Sequence, residues 1–214
     1  MDESKRESKR NETLRIIVEC AMLVALSCVL SIFPKFKFLP YGGSITVCSM
    51  LPVILISYRR GLKWGLLSGL VFALFQMMTG FSSAGFSAFA IAMVVLFDYL
   101  IAFTLVGLGG LFRGKLAKSS SELALGSLLA LGLRYLSHVV SGYFVWGEYA
   151  EWFFSEAGEF GAGVLEGFSG NALALIYSLI YNASYMLPEM LITALVAALI
   201  SKYALYNLKT EAAD

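Results

Sequence analysis

An arginine and the chain's only histidine stand one helical turn apart in residues 134–146, RYLSHVVSGYFVW, inside a long apolar run. Arg134 can pair with a carboxylate or donate to a ligand, and His138 can accept, donate or carry a proton. A lone charge at a bilayer centre costs at least ~2.5 kcal/mol on insertion scales, so something must offset it. Asp98, in a second apolar run, is a counter-charge for Arg134 or for a protonated His138. Asn182 adds an amide, and Tyr99, Tyr177, Tyr181 and Trp146 add flat faces with polar tips. One carboxylate, one imidazole, one amide and several rings suit a small, flat heteroaromatic ligand. A positively charged ring would gain a further ~2 kcal/mol of cation–π attraction when desolvated. The plainer alternative is a structural ion pair that locks two helices. Intramembrane ionisable groups more often mark a ligand site or a pathway.

The elements that must hold these residues are membrane helices. The chain has 214 residues, 58% of them hydrophobic and 14% charged. A soluble domain carries about 25% charged residues. Mean hydropathy is +0.76. Six segments approach the ~20 apolar residues a span requires: 14–33, 45–58, 61–80, 86–112, 123–146 and 171–201. The expected fold is therefore an all-α integral membrane protein. Residues 1–13 form a polar arm expected to fray, 14–205 the membrane domain and 206–214 a polar tail. Pro34 and Pro40 make the stretch before the second span an ordered loop. Residues 147–170, acidic, aromatic and Gly-rich, read as a loop with room for a short interfacial helix.

Basic residues cluster at four places: Lys5, Arg6, Lys9, Arg10 and Arg15; Arg59, Arg60 and Lys63; Arg113, Lys115 and Lys118; Lys202 and Lys209. All four fall on one side of a six-span chain, while the 147–170 loop carries five glutamates and no basic residue. The positive-inside rule then places both termini in the cytoplasm of a multi-pass protein of the cell membrane. At 1.5 Å of rise per residue, His138 lies about 12 Å below the outer face, Asp98 about 18 Å and Asn182 about 16 Å, with Arg134 one turn below His138. Tyr177 lies about 9 Å down. Four polar groups on three spans thus share one layer.

Other patterns carry less. Cys20, Cys28 and Cys48 have no metal-ligand spacing, and with one histidine no metal site is expected. GGLFRGKL (109–116) nearly matches a phosphate-binding loop, but Leu116 replaces the hydroxyl that would hold Mg²⁺ and the stretch ends a membrane helix. Gly61, Gly65 and Gly69 repeat every four residues and permit close helix packing. Ala21, Ala25 and Val29 form a smooth stripe on the first span, suited to internal packing or to docking another membrane protein.

The pieces SYRRGLKWGLLSGL, LFDYLIAFTLVGLGGLFRGK, RYLSHVVSGYFVWGEYA and YSLIYN together resemble the thiamine-specific substrate-binding subunits (S-components) of energy-coupling-factor (ECF) vitamin transporters. The resemblance runs from the first span to the last. It implies a six-helix S-component fold with a pocket open to the outside that takes thiamine. Asp98, Tyr99, Arg134, His138, Trp146, Tyr177 and Asn182 would be the pocket residues, with aspartate and arginine where the family often has glutamate and lysine. It further implies that the Ala21, Ala25, Val29 stripe meets a transmembrane coupling subunit, and that two ATPase subunits drive release inside. No chemistry, cofactor or nucleic-acid partner is implied for this chain. Loops 34–44, 80–86 and part of 147–170 would cap the pocket, with Gly42, Gly43 and Gly80 as pivots. Competing readings are an S-component for another heteroaromatic vitamin, or a self-sufficient transporter using Asp98, His138 and Arg134 as a proton relay. An intramembrane enzyme with His138 as base ranks last, for want of a well-spaced nucleophile.

Overall fold

A computed structural model describes residues 3–33, 35–37, 43–83 and 85–202. Among them, five helices are long and apolar enough to cross a membrane: Lys5–Ile32, Leu62–Gly80, Ala88–Gly110, Ser119–Ser155 and Gly170–Ile200. The expected tail 206–214 lies outside the described residues, as do Pro34, Pro40 and Gly42 of the first capping loop.

The first helix, α1 (Glu3–Ile32), starts eleven residues before the expected span. The polar arm contains no Gly or Pro, and Lys, Arg and Glu are good helix formers. Arg10 and Glu7 pair across one turn at 3.8 Å, and the Thr13 hydroxyl donates to the Lys9 carbonyl. Residues 3–13 of the arm are helical. Cys20, Val24, Ser27 and Ser31 form the buried face of α1. Ala21, Ala25 and Val29 lie on its exposed side. Glu19 fastens α1 to the next helix by accepting from Arg59, at 2.5 Å, and from Arg60.

The second span departs most from expectation. Strands β1 (Lys35–Lys37) and β2 (Ser44–Thr46) pair antiparallel, and helix α2 covers only Leu51–Arg60. Ten residues rise about 15 Å, half a hydrocarbon core. The reason is visible in the contacts of β2. The Gly43 amide donates to the Tyr181 hydroxyl at 3.2 Å, and the Thr46 hydroxyl donates to Glu189, eight residues further along the last helix. Eight helical residues are about 12 Å, so β2 descends alongside that helix and α2 starts deep in the bundle. Non-helical backbone at such depth survives only where protein buries it or a cavity wets it. Gly43, Thr46, Cys48, Ser49 and Met50 are all buried.

One residue separates α2 from α3 (Leu62–Gly80): Gly61, at φ +92°, a conformation that L side chains rarely adopt. The next rod is not a uniform α-helix. It runs through α4 (Ala88–Met93), a π-helical segment Val94–Leu100, α5 (Ile101–Leu105) and a 3₁₀ segment Val106–Gly110. Helix α6 (Ser119–Ser141) likewise passes into a π-helical segment, Gly142–Trp146, and a 3₁₀ turn, Gly147–Tyr149. The 147–170 segment, expected as a loop with room for one short helix, holds two, α7 (Ala150–Ser155) and α8 (Gly158–Gly167). The last helix, α9 (Gly170–Ile200), carries Pro188 inside it.

The two ends of the bundle differ in packing. At the end bearing the 60–62 and 111–118 turns, glycines bring backbones together. A Cβ on Gly107 would collide with the Gly65 backbone, and one on Gly126 with the Gly109 carbonyl. The Ser57 hydroxyl donates to the Gly107 carbonyl at 2.5 Å and accepts from the Gly110 amide at 3.0 Å. Gly65 and Gly69 are thus internal packing positions: a Cβ on Gly69 would sit 2.7 Å from the Phe103 carbonyl oxygen. The apparent phosphate loop belongs to this closed end. Its Leu116 amide donates to Glu122 at 3.1 Å, and the Tyr58 hydroxyl donates to the same carboxylate at 2.6 Å. The chain's own acid takes the place an anion would need. Among the described residues, the cavity lies toward the opposite end.

Candidate functional site

A cavity of about 980 Å³ opens between α3, the Ala88–Gly110 rod, α6 with its π extension, and α9. That volume reaches the upper end of the range for small-molecule sites. Asp98, Tyr99, Arg134, His138, Trp146, Tyr177 and Asn182 all line it. The helical repeat brings these residues together from three separate stretches of sequence.

The π-helical segment Val94–Leu100 carries Asp98 and Tyr99. A π turn holds one more residue than an α turn, so it shifts which side chains face inward, and it is frequent at functional sites. It also changes the local carbonyl pairing. The Ser137 hydroxyl donates to the Phe97 carbonyl at 2.6 Å, tying the segment to α6. Asp98 Oδ1 lies 2.8 Å from His138 Nδ1, and Ser141 donates to Oδ2 at 2.8 Å. With Nδ1–H turned to the carboxylate, the other ring nitrogen is an acceptor. That atom, Nε2, is buried with no partner among the described residues.

Arg134 does not pair with Asp98. Its Nη1 lies 3.3 Å from Glu189 Oε2, and its guanidinium carbon lies 4.7 Å from the centroid of the Phe103 ring. Its Nε is buried and has no partner among the described residues. Of the two partners expected for Asp98, Arg134 or His138, the structure pairs it with His138 and gives Arg134 to Glu189. Glu189 lies deeper along α9 than the layer counted from sequence, and arginine's long stem reaches it. The signal was available: an acid directly after Pro188 in an apolar span is an intramembrane charge and needs a partner.

Helix α9 supplies a ladder of tyrosines at four-residue spacing. Tyr177 and Tyr181 have ring centroids 5.5 Å apart, and Tyr181 and Tyr185 6.1 Å. Phe153 of α7 packs on Tyr177 at 5.2 Å, so it is core filler, while Trp152 is 45% exposed. Asn182 is held from several sides. Its Nδ2 donates to the Ser178 carbonyl at 2.9 Å, and its Oδ1 accepts from Tyr185 at 2.7 Å. Gly142 lets α9 come close: a Cβ there would meet Asn182 Nδ2 at 3.2 Å. Trp146, at the end of the second π segment, stands edge to face with Phe86 at 5.3 Å. Phe86 follows the loop between α3 and α4, and Phe81 of that loop packs on Tyr99 at 6.1 Å. Phe81, Phe86, Phe103, Tyr181, Tyr185 and Glu189 complete the site and its supports. The two loop phenylalanines gave no periodic signal from which to find them.

The arrangement presents a carboxylate, an acceptor nitrogen, a guanidinium donor and several aromatic faces around one hollow. Such an arrangement can hold a small flat ligand by hydrogen bonds and stacking. Comparison with known proteins agrees with that character. Residues 17–155 match the model of the thiamine transporter protein family, a stretch that includes Asp98, Tyr99, Arg134, His138 and Trp146 but ends before Tyr177 and Asn182. The chain is 34% identical over 145 residues to the thiamine transporter ThiT of Bacillus subtilis (strain 168), covering 63% of this chain and 72% of that protein. It is 24% identical over 155 residues to the thiamine transporter ThiT of Lacticaseibacillus paracasei, covering 66% of this chain and 73% of that one. In fold it is similar to a solved structure of ThiT from Listeria monocytogenes, with TM-score 0.67, 23% identity, and 90% and 96% of the two chains covered.

Proposed function

Because the chain belongs to the thiamine transporter family, we propose that it is the high-affinity thiamine-binding S-component of an ECF-type importer in a bacterial cell membrane. The observation that carries this reading is the cavity in which Asp98, buried Nε2 of His138 and Nε of Arg134 meet aromatic faces. Thiamine joins a flat aminopyrimidine to a cationic thiazolium ring. Asp98 supplies the counter-charge. Nε2 of His138 accepts from a ring amino group, and Arg134 Nε donates to a ring nitrogen. Trp146, Tyr99 and Tyr177 offer faces for stacking.

In this reading the cavity end of the bundle faces outside and both termini face the cytoplasm. The chain crosses six times, the second crossing made by the descending β2 strand together with α2. The exposed side of α1, with Ala21, Ala25 and Val29, meets the transmembrane coupling subunit, and two ATPase subunits supply the energy. The chain needs no cofactor and does no chemistry. The test has two arms. Purified protein titrated against a panel of vitamins binds thiamine most tightly. Vesicles carrying this chain accumulate thiamine only when the coupling and ATPase subunits are present with ATP. Tighter binding of another vitamin moves the assignment to a sister S-component. Uptake by this chain alone under a pH gradient replaces it with a proton-coupled carrier.

A further inference from the structure

We propose that Glu189 is a specificity-determining residue: by neutralising Arg134 it leaves one net negative charge at the cavity, which selects a cationic ligand over an uncharged one of the same shape. The inference rests on the thiamine-binding reading and deepens it.

Four side chains decide the charge. Arg134 stays protonated in any protein environment, so its positive charge is permanent. It is buried, and Glu189 is 2% exposed with Oε2 3.3 Å from Nη1. Oε1 of the same carboxylate accepts from the Thr46 hydroxyl of β2, which itself contacts Ser49 at 2.7 Å. Glu189 is thus held in place from the strand side and aimed at the guanidinium. Asp98, by contrast, is within ion-pair reach of no arginine or lysine among the described residues. Its two oxygens are met by the imidazole Nδ1 and by the Ser141 hydroxyl. With Nδ1–H on the carboxylate and no acceptor for a second proton at buried Nε2 among the described residues, we count the imidazole as neutral. Two carboxylates against one guanidinium leave a single negative charge. It stands on Asp98, where a cation in the cavity meets it. Had Arg134 paired with Asp98, the unpaired charge would stand on buried Glu189 instead, farther from a positive ring in the cavity.

The test compares thiamine with its uncharged isostere, in which the thiazolium nitrogen is replaced by carbon, by calorimetric titration of purified full-length protein. The readout is the ratio of the two affinities, which a packing defect would leave unchanged. Glu189→Gln is expected to lower the ratio in thiamine's favour by about tenfold, the effect of one unit charge at ~10 Å through protein of effective dielectric ~20. Arg134→Gln should raise the ratio by a similar factor. The double variant Arg134→Gln/Glu189→Gln restores the single negative charge and should return the ratio to within about threefold of wild type, even where both affinities fall. The double variant removes both members of the buried pair and leaves Asp98 as the remaining charge, so with Arg134→Gln it decides the matter if Glu189→Gln alone does not fold. An unchanged ratio in the single variants, or a double variant that does not recover it, overturns the proposal. Wild-type protein that binds neither compound refutes the thiamine-binding reading itself, an outcome distinct from a flat ratio.

Discussion

Asp98→Asn is the most informative single change. The amide keeps the shape of the carboxylate. Its oxygen can still accept from His138 Nδ1, now 2.8 Å away, and Ser141 can rotate to accept from the new NH₂ group. The fold therefore loses only the charge assistance of two hydrogen bonds, about 1–2 kcal/mol. A cationic ligand loses more. One unit charge at ~5 Å in an effective dielectric of ~20 is worth about 3 kcal/mol, or ~100-fold in affinity. Calorimetric titration of thiamine into purified protein measures the second quantity, and the thermal unfolding midpoint of the empty protein follows the first. The reasoning predicts a drop of about a hundredfold in affinity with a small shift in the midpoint. Affinity preserved within about threefold, together with a large loss of thermal stability, would show that Asp98 is a structural tie between helices and no part of a ligand site.

Trp146→Phe should abolish most of the tryptophan fluorescence quenching caused by thiamine while leaving calorimetric affinity within about tenfold, since the ring can still stack; full quenching in the variant would place the ligand elsewhere. Gly107→Ala should destabilise the protein by about 1–3 kcal/mol or prevent folding, because the new methyl meets the Gly65 backbone; an unchanged unfolding midpoint would contradict the close packing of the closed end. Gly80→Ala places a Cβ 3.1 Å from the Tyr99 hydroxyl, at the cavity wall. It should weaken thiamine binding severalfold without lowering the midpoint, and unaltered binding would mean that Tyr99 is free to move aside.

How far the sequence reached depended on which regularity each feature obeys. The rise of an α-helix is nearly constant, so depth could be counted from span ends, and Asp98, His138 and Asn182 do meet around one hollow. The same counting passed over Glu189, which sits two turns beyond Asn182 on α9 and meets Arg134 only because arginine is long. The second span was misjudged for a related reason. Apolar composition over 45–58 reports burial, and a strand buried among helices is as apolar as a helix facing lipid. The pairing of Thr46 with Glu189, which decides between them, is a contact across 143 positions that no local pattern contains. The π-helical turns at Val94–Leu100 and Gly142–Trp146 have no local signature in composition either. Their effect is a small rotation of Asp98, Tyr99 and Trp146 that a uniform helix would not supply. Glycines weaken helix propensity in the 147–170 segment and leave room for only a short helix on sequence grounds, yet Phe154 and Ala150 bury α7 against α9 and outweigh that.

The most direct test of the account is an experimental structure of the protein with thiamine bound. The account predicts density for the vitamin in the cavity among Asp98, His138, Trp146 and Asn182, with Arg134 still joined to Glu189. Thiamine bound outside that cavity, or a cavity filled by side chains while the vitamin sits elsewhere, would contradict it.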